Sequence, residues 1–327
     1  MDTTRIDRPG AAIVFVLVAM LAISANDVMI KQLSGGYALH QVVFFRSAIG
    51  IVFGLALVHW EGGLARLRTR TPVLHAIRGL LVVISNMTYF AALAVLPLAD
   101  VTALFFVAPL FITLLSIPFL GEKVGPLRLG AVVVGFAGVV IMQQPWAASE
   151  TMGVSRWVML LPVLAALCYA ANQIMTRRLG LTTSASVLTV YIQATFIVVS
   201  LGFWLVAGDG RYAEHTDNGS LIFLLRAWVM PASSADLWLL IGLGLTSTVV
   251  GYCLSQAYRL ASAATVAPFE YSELLLAVFW GWAFFATLPG LPVWIGMGLI
   301  VASGLFVFFR EQVKARAIAR GAGIRRR

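Results

Sequence analysis

Apolar runs close to 20 residues long recur from end to end of the chain, broken by short stretches where Gly, Pro and charged residues gather. A helix rising ~1.5 Å per residue needs about 20 apolar residues to cross a bilayer core. The pattern predicts membrane-spanning helices over residues 11–33, 38–60, 73–96, 98–120, 126–146, 156–178, 185–207, 236–258, 263–286 and 290–310. Within this alternation the chain repeats itself. "ANDVMIKQL" at Ala25–Leu33 returns as "ANQIMTRRL" at Ala171–Leu179, with Asp27 becoming Gln173 and Lys31 becoming Arg177. Two weaker echoes join "LADVTALFFVAPLF" (Leu98–Phe111) to "SAATVAPFEYSELL" (Ser262–Leu275), and "GAVVVGFAGVVIM" (Gly130–Met142) to "GMGLIVASGLFVF" (Gly296–Phe308). Each half then holds five spans. Because five is odd, the second half enters the membrane from the opposite side, the inverted-repeat plan of secondary transporters. Shared apolar composition is the plainer explanation of such echoes, but it does not account for Asn, Met and basic residues recurring at matched spacing.

Composition agrees. Of 327 residues 60% are hydrophobic and 11% charged, where soluble domains carry about 25% charged residues. The net charge of +9 does not point to nucleic acid, because the basic residues sit in short loops and in the tail "REQVKARAIARGAGIRRR". With the N-terminus in the cytoplasm, Arg5, Arg8, Arg66, Arg68, Arg70, Lys123, Arg128, Arg177, Arg178, Arg259 and the tail fall inside. Arg156, Arg211 and Arg226 fall outside, as the positive-inside rule requires of ten spans with both termini cytoplasmic. The first run follows two arginines, as a secretion signal would. It is long, however, and contains Asn26, Asp27 and Lys31, so it reads as a retained first helix. The longest loop, Gly208–Ala235, is expected outside, with "GSLIFLLRAWVMP" as an interfacial helix or a loose connector. Cys168 and Cys253 lie in apolar segments and suggest neither a disulfide framework nor a metal site. Nothing in the pattern asks for a cofactor.

The run "LPLADVTALFFVAPLFITLLSIPFLGEKVGPLRLGAVVVGFAGVVIM" resembles the first repeat of the drug/metabolite transporter superfamily, EamA type. "AYRLASAATVAPFEYSELLLAVFWGWAFFATLPGLPVWIGMGLIVASGLFVFFRE" resembles the second, and Leu120–Lys123 is a frequent mark of that family. The segment "FFATLPG" departs from it, lacking the acidic residue many relatives carry before Leu-Pro. The resemblance implies an all-α integral membrane fold of ten helices. Its parts are a first five-helix repeat at 1–147, a second at 148–313 and a basic cytoplasmic tail at 314–327. It also implies movement of a small organic metabolite (an amino acid, a vitamin or a nucleoside-like cofactor) across the bacterial inner membrane, by a monomer or a homodimer.

Ionisable residues deep in a span are costly unless paired or facing a wet cavity. Counting ~1.5 Å per residue sets Asp27 and Arg46 in the outer half, Arg78 and Glu270 in the inner half, Glu273 near midplane and Asp100 at the outer mouth of its helix. Static helix-gluing pairs are one reading, and Asp27 with Lys31 four residues on is another. Glu270 and Glu273 share a helix face. Two carboxylates there disfavour double ionisation, which would suit proton coupling. Arg46 has the bidentate fork to hold an anionic group. Asn26, Asn172 and Gln173 either pack helices by hydrogen bonds or touch substrate. Among the aromatics, Tyr89, Phe105, Phe106, Tyr252, Tyr258, Phe269, Tyr271 and Trp280 are candidate cavity walls. Gly50–Gly54 forms a GxxxG that permits close helix approach.

The candidate cavity or gating set is therefore Asn26, Asp27, Arg46, Arg78, Tyr89, Asn172, Gln173, Phe269, Glu270, Tyr271 and Glu273. An integral-membrane lipid-modifying enzyme is the rival reading, but His40, His59, His75 and His215 are scattered at or beyond span ends rather than clustered. No nucleotide-binding Gly-Lys-Ser/Thr loop is present, which argues against direct ATP drive. A channel-like facilitator is the third reading, disfavoured by the mixed charge signs.

Overall fold

The structure is a computed structural model that describes residues 8–69, 71–121, 124–144, 156–179, 185–231, 233–260, 266 and 269–324. Glu122 and Lys123 of the family mark, the junction between the two expected repeats, and most of the start of the ninth expected span lie outside the described residues.

Helices α1 (Pro9–Leu33), α2 (Leu39–Trp60) and α3 (Pro72–Leu93) come first, with a short 3₁₀ turn at Leu64–Leu67 between the last two. Next are α4 (Leu98–Phe105), α5 (Ala108–Leu120), α6 (Pro126–Gln143), α7 (Arg156–Leu179) and α8 (Ala185–Ala207). The chain closes with α9 (Gly219–Leu225), α10 (Ser234–Leu260), α11 (Ser272–Phe285) and α12 (Leu291–Ile324). Among the described residues 9 helical stretches are long and apolar enough to cross a membrane; α11 is a shorter apolar helix. The protein is a multi-pass helical membrane protein.

Local chemistry sets the breaks. Pro9, Pro72 and Pro126 open helices at the first turn, where a missing N–H costs nothing. The fourth apolar run is divided. Pro109 has no N–H for the Phe105 carbonyl, so α4 stops at Phe105 and α5 restarts at Ala108. Gly121 ends α5 in the left-handed conformation at φ 68°. Asn218 caps α9 by accepting from the Ser220 and Leu221 amides at 3.0 and 3.4 Å.

With no water to satisfy backbone groups, helices in a bilayer associate by close packing and interhelical hydrogen bonds. α1 runs along α10, and α3 along α7. α2 pairs with α8, and α6 with α12. Gly50 and Gly54 face Gln193 and Val190 of α8, the close approach their spacing suggests. Gly138 and Gly296 bring α6 and α12 together; a Cβ at Gly138 would lie 2.7 Å from the Gly296 carbonyl oxygen. Outward faces are apolar: Val14, Leu17, Val18 and Leu21 of α1 are exposed, as are Trp60, Trp157 and Trp238 near helix ends. Such a surface belongs against lipid, with tryptophan at the interfaces.

The connection between α8 and α10 is pinned over Leu224–Val229 rather than loose there. Gln41 of α2 donates to the Val229 carbonyl at 2.6 Å and accepts from the Val229 amide at 3.1 Å. His40 Nδ1 sits 2.9 Å from the Leu224 carbonyl, and Arg226 donates to the Gly35 carbonyl. Trp228 packs among His40, Phe44, Phe45 and Trp204. α12 continues beyond its apolar stretch, Leu291–Arg310, through the basic tail to Ile324.

Candidate functional site: a cavity between the helix pairs

The helices enclose a cavity of about 370 Å³, within the range of small-molecule sites. α1 contributes Met20, Ile23, Asn26 and Asp27, α2 Arg46, and α3 Ser85, Asn86, Tyr89 and Phe90. The α4–α5 break contributes Phe105, Phe106, Ala108 and Pro109. From the other side come Tyr169 of α7, Gln193 and Phe196 of α8, and Ser247, Val250 and Leu254 of α10, with Glu270 and Glu273 beside and on α11.

Six aromatic residues, Tyr89, Phe90, Phe105, Phe106, Tyr169 and Phe196, contribute to the wall. Tyr89 meets Phe90 and Phe105 edge to face at 5.3 and 5.4 Å, and Phe105 meets Tyr169 at 5.5 Å. Phe106 is backed by Tyr271, stacked at 5.1 Å. The Arg46 guanidinium lies over Phe90 at 5.5 Å and over Phe196 at 5.1 Å, so both rings offer it their negative faces. Its Nη2 donates to Asn86 Oδ1 at 3.3 Å. Asn86 is itself held, its Nδ2 donating to the Val82 carbonyl at 3.2 Å. Asp27, 4% exposed, accepts from the Tyr89 hydroxyl at 2.7 Å, and Tyr89 is 3.1 Å from Thr102 Oγ1. The cavity thus combines carboxylates at Asp27, Glu270 and Glu273 with a single lining guanidinium.

Of the residues singled out in the sequence, Asn26, Asp27, Arg46, Tyr89, Phe105, Phe106, Glu270 and Glu273 line this cavity together. Asn26 also ties α1 to α10, donating to Thr246 Oγ1 at 3.0 Å and Ser247 Oγ at 3.2 Å. Gln173 and Tyr271 stand one layer back. Gln173 donates to the Tyr169 hydroxyl at 2.7 Å, and Tyr271 supports Phe106. Phe269 packs against a buried cluster of α1 and α10 residues, and Asn172 is buried on α7; neither lines the cavity. Arg78 is buried on α3 and also lies outside the lining. Its neighbourhood is the α3–α8 contact, where His75 meets Tyr191 at 4.8 Å. Lys31 does not serve as Asp27's partner on its own helix. It donates to the Leu93 and Leu96 carbonyls at 2.6 and 2.5 Å, closing the C-terminal end of α3.

Asn86, Tyr169, Gln193 and Phe196 escaped the sequence reading. For Gln193 a signal existed: it is the one amide in the apolar run "VYIQATFIVV", and an amide inside a span needs a partner or a cavity.

Comparison with known proteins fits this geometry. Residues 10–143 match the EamA-like transporter family. A riboflavin transporter of Rhizobium johnstonii is 32% identical over 96% of this chain and 97% of its own length. One from Vibrio cholerae is 32% identical over 84% of each. An S-adenosylmethionine uptake transporter of Rickettsia felis is 27% identical over 90% of this chain and 92% of its own. A solved crystal structure covers 90% of this chain and 95% of its own at TM-score 0.59 and 20% identity, a likeness of fold alone. These relatives are named as transporters, not enzymes. The chain belongs to the EamA-like transporter family of the drug/metabolite transporter superfamily.

Proposed function

We propose that the protein is a secondary active transporter that carries a planar heteroaromatic metabolite of the flavin class across the bacterial inner membrane. The observation that carries this reading is the aromatic cavity, about 370 Å³, walled by helices from both halves of the chain. The 32% identity to riboflavin transporters over nearly the whole length points to the same substrate class.

Alternating access between two inverted five-span halves is the mechanism we infer. Its support is the packing pattern. Take the first-half spans as α1, α2, α3, α4 with α5, and α6; take the second-half spans as α7, α8, α10, α11 and α12. Exchanging corresponding spans turns the α1–α10 contact into the α7–α3 contact, and both exist. It returns the α2–α8 and α6–α12 contacts to themselves. A two-fold relation requires this. The Glu270/Glu273 pair is the proposed point of proton coupling, because both carboxylates line the same cavity.

A second reading has its own observation. Three lining carboxylates suit a substrate bearing a positive charge, as the sulfonium of S-adenosylmethionine does. Counterflow separates the two. Proteoliposomes loaded with unlabelled riboflavin should transiently accumulate labelled riboflavin. Accumulation of labelled S-adenosylmethionine in its place would select the second reading, and no counterflow of either would refute both.

A further inference from the structure

The short helix α9 closes one end of the helix bundle. It is carried on the connection between α8 and α10, yet it packs against both α2 and α3, which scarcely touch each other. Phe223 is its plug. That residue is 1% exposed and belongs to the buried cluster that also holds Val42 and Val43 of α2 and Leu93 and Leu96 at the end of α3. The cavity wall begins just beneath. Arg46 is little more than one turn beyond Gln41 on α2, and Phe90 is about one turn before the end of α3.

The two flanks of this plug are held differently. Toward α2 the grip is polar. Gln41 clasps both main-chain groups of Val229, His40 Nδ1 meets the Leu224 carbonyl, and Arg226 donates to the Gly35 carbonyl. Trp228 adds ring contacts with His40, Phe44 and Phe45. Toward α3 the contact is apolar. A Cβ at Gly219 would lie 2.6 Å from Val95 Cγ1, in the turn after α3. Among the described residues, no hydrogen bond joins α9 or the stretch to Val229 to α3 or that turn. Breaking buried hydrogen bonds leaves polar groups unmet, whereas an apolar contact parts without that cost. The α2 flank is therefore the hinge side and the α3 flank the side that opens.

We propose that α9 and the stretch to Val229 form a hinged lid that travels with α2, seals the seam between α2 and α3 with Phe223, and parts from α3 to open the cavity at this end. With both termini cytoplasmic, this end is the outer one. The proposal rests on the transport reading above and adds where the path opens and which element closes it. Closure of this kind sequesters a bound molecule from water on one side while the other side stays available, as alternating access requires.

The test uses the full-length protein with Cys168 and Cys253 replaced. Gly219→Cys with Val95→Cys brings two thiols within disulfide reach across the α3 flank. Oxidised in proteoliposomes, that pair should cut riboflavin counterflow at least about tenfold, and a reductant should restore it. Gln41→Cys with Val229→Cys, bridged across the α2 flank by a short bifunctional thiol reagent, should change counterflow less than about threefold. Unchanged counterflow with the α3 flank bonded overturns the lid and makes α9 a static brace. Equal block by both bridges overturns the hinge. A second measurement needs no transport. A charged thiol reagent added outside intact cells should modify Asn86→Cys at least about tenfold faster once Phe223→Ala removes the plug. Equal rates, or no labelling in either, overturn the lid. If Phe223→Ala does not fold, the disulfide decides. If the unbridged protein shows no riboflavin counterflow, the substrate reading fails and the labelling rates alone decide the lid.

Discussion

The two copies of the repeated Asn motif have come to different ends. On α1, three polar members of the motif reach beyond their own helix. Asn26 bonds α10, Asp27 takes the Tyr89 hydroxyl of α3 and faces the cavity, and Lys31 bonds the end of α3. On α7, Gln173 bonds Tyr169 of its own helix and stands behind the cavity wall. The change from Asp27 to Gln173 removed a charge, and with it the need for a partner on another helix or a wet face. If the halves are repeats, as proposed, the motif has kept its place in the fold while its chemistry diverged, and the copy with the charge is the one that lines the cavity.

The comparison breaks most completely if the halves are not inverted. Reporter fusions after Gly35 and Asn218 should read external, and fusions after Arg68 and Arg178 internal. A single reversed sign changes the parity of the spans, and the two copies then no longer face opposite sides.

Substitution at the two central positions should be unequal. Asp27→Leu loses the hydrogen bond from Tyr89 and leaves that buried hydroxyl short of an acceptor, at a cost of about 1–3 kcal/mol. Initial uptake in proteoliposomes should fall about tenfold to a hundredfold. Gln173→Leu loses a neutral bond behind the wall, so its effect should stay below about threefold. Equal losses would mean that both copies serve the site alike.

The packing contacts sharpen the same point through stability. Gly138→Leu drives a side chain against the Gly296 carbonyl, a backbone atom with no freedom to turn aside. Overpacking of this kind costs about 1–3 kcal/mol, so the detergent melting temperature should drop. Lys31→Met should lower it less, with uptake per folded molecule little changed, because Lys31 closes a helix end outside the cavity lining. A Lys31 variant that folds normally and fails to transport would move the functional boundary of the α1 motif outward.

Much of the fold was legible because the bilayer imposes one period and one length on every element. The expected 185–207 and 38–60 spans fall within a residue of α8 and α2. The interruption between α4 and α5 was not anticipated, although Pro109 was its signal. A proline in a long apolar run is tolerated in some membrane helices and divides others, and hydropathy does not distinguish them. The reach of α12 to Ile324 was missed for the opposite reason: hydropathy ends at the membrane face, while backbone hydrogen bonding continues. In the site, the charged members were legible from their cost in lipid. Phe196 was not, because an aromatic that lines a cavity and one that faces lipid are the same letter in an apolar run. Only the neighbouring Arg46 tells them apart.

The central claim is that the cavity opens to each side in turn, so that the α1 motif copy is reached in one state and the α7 copy in the other. Single cysteines at Asn26 and Asn172, after replacement of the buried Cys168 and Cys253, allow a direct measurement with a membrane-permeant thiol reagent. Without substrate the cysteine at 26 should label faster, since the cavity reaches Asn26 and not Asn172. Riboflavin should raise labelling at one position and lower it at the other. Parallel changes at both positions, or none at either, would contradict the account and reduce the repeated motif to shared packing.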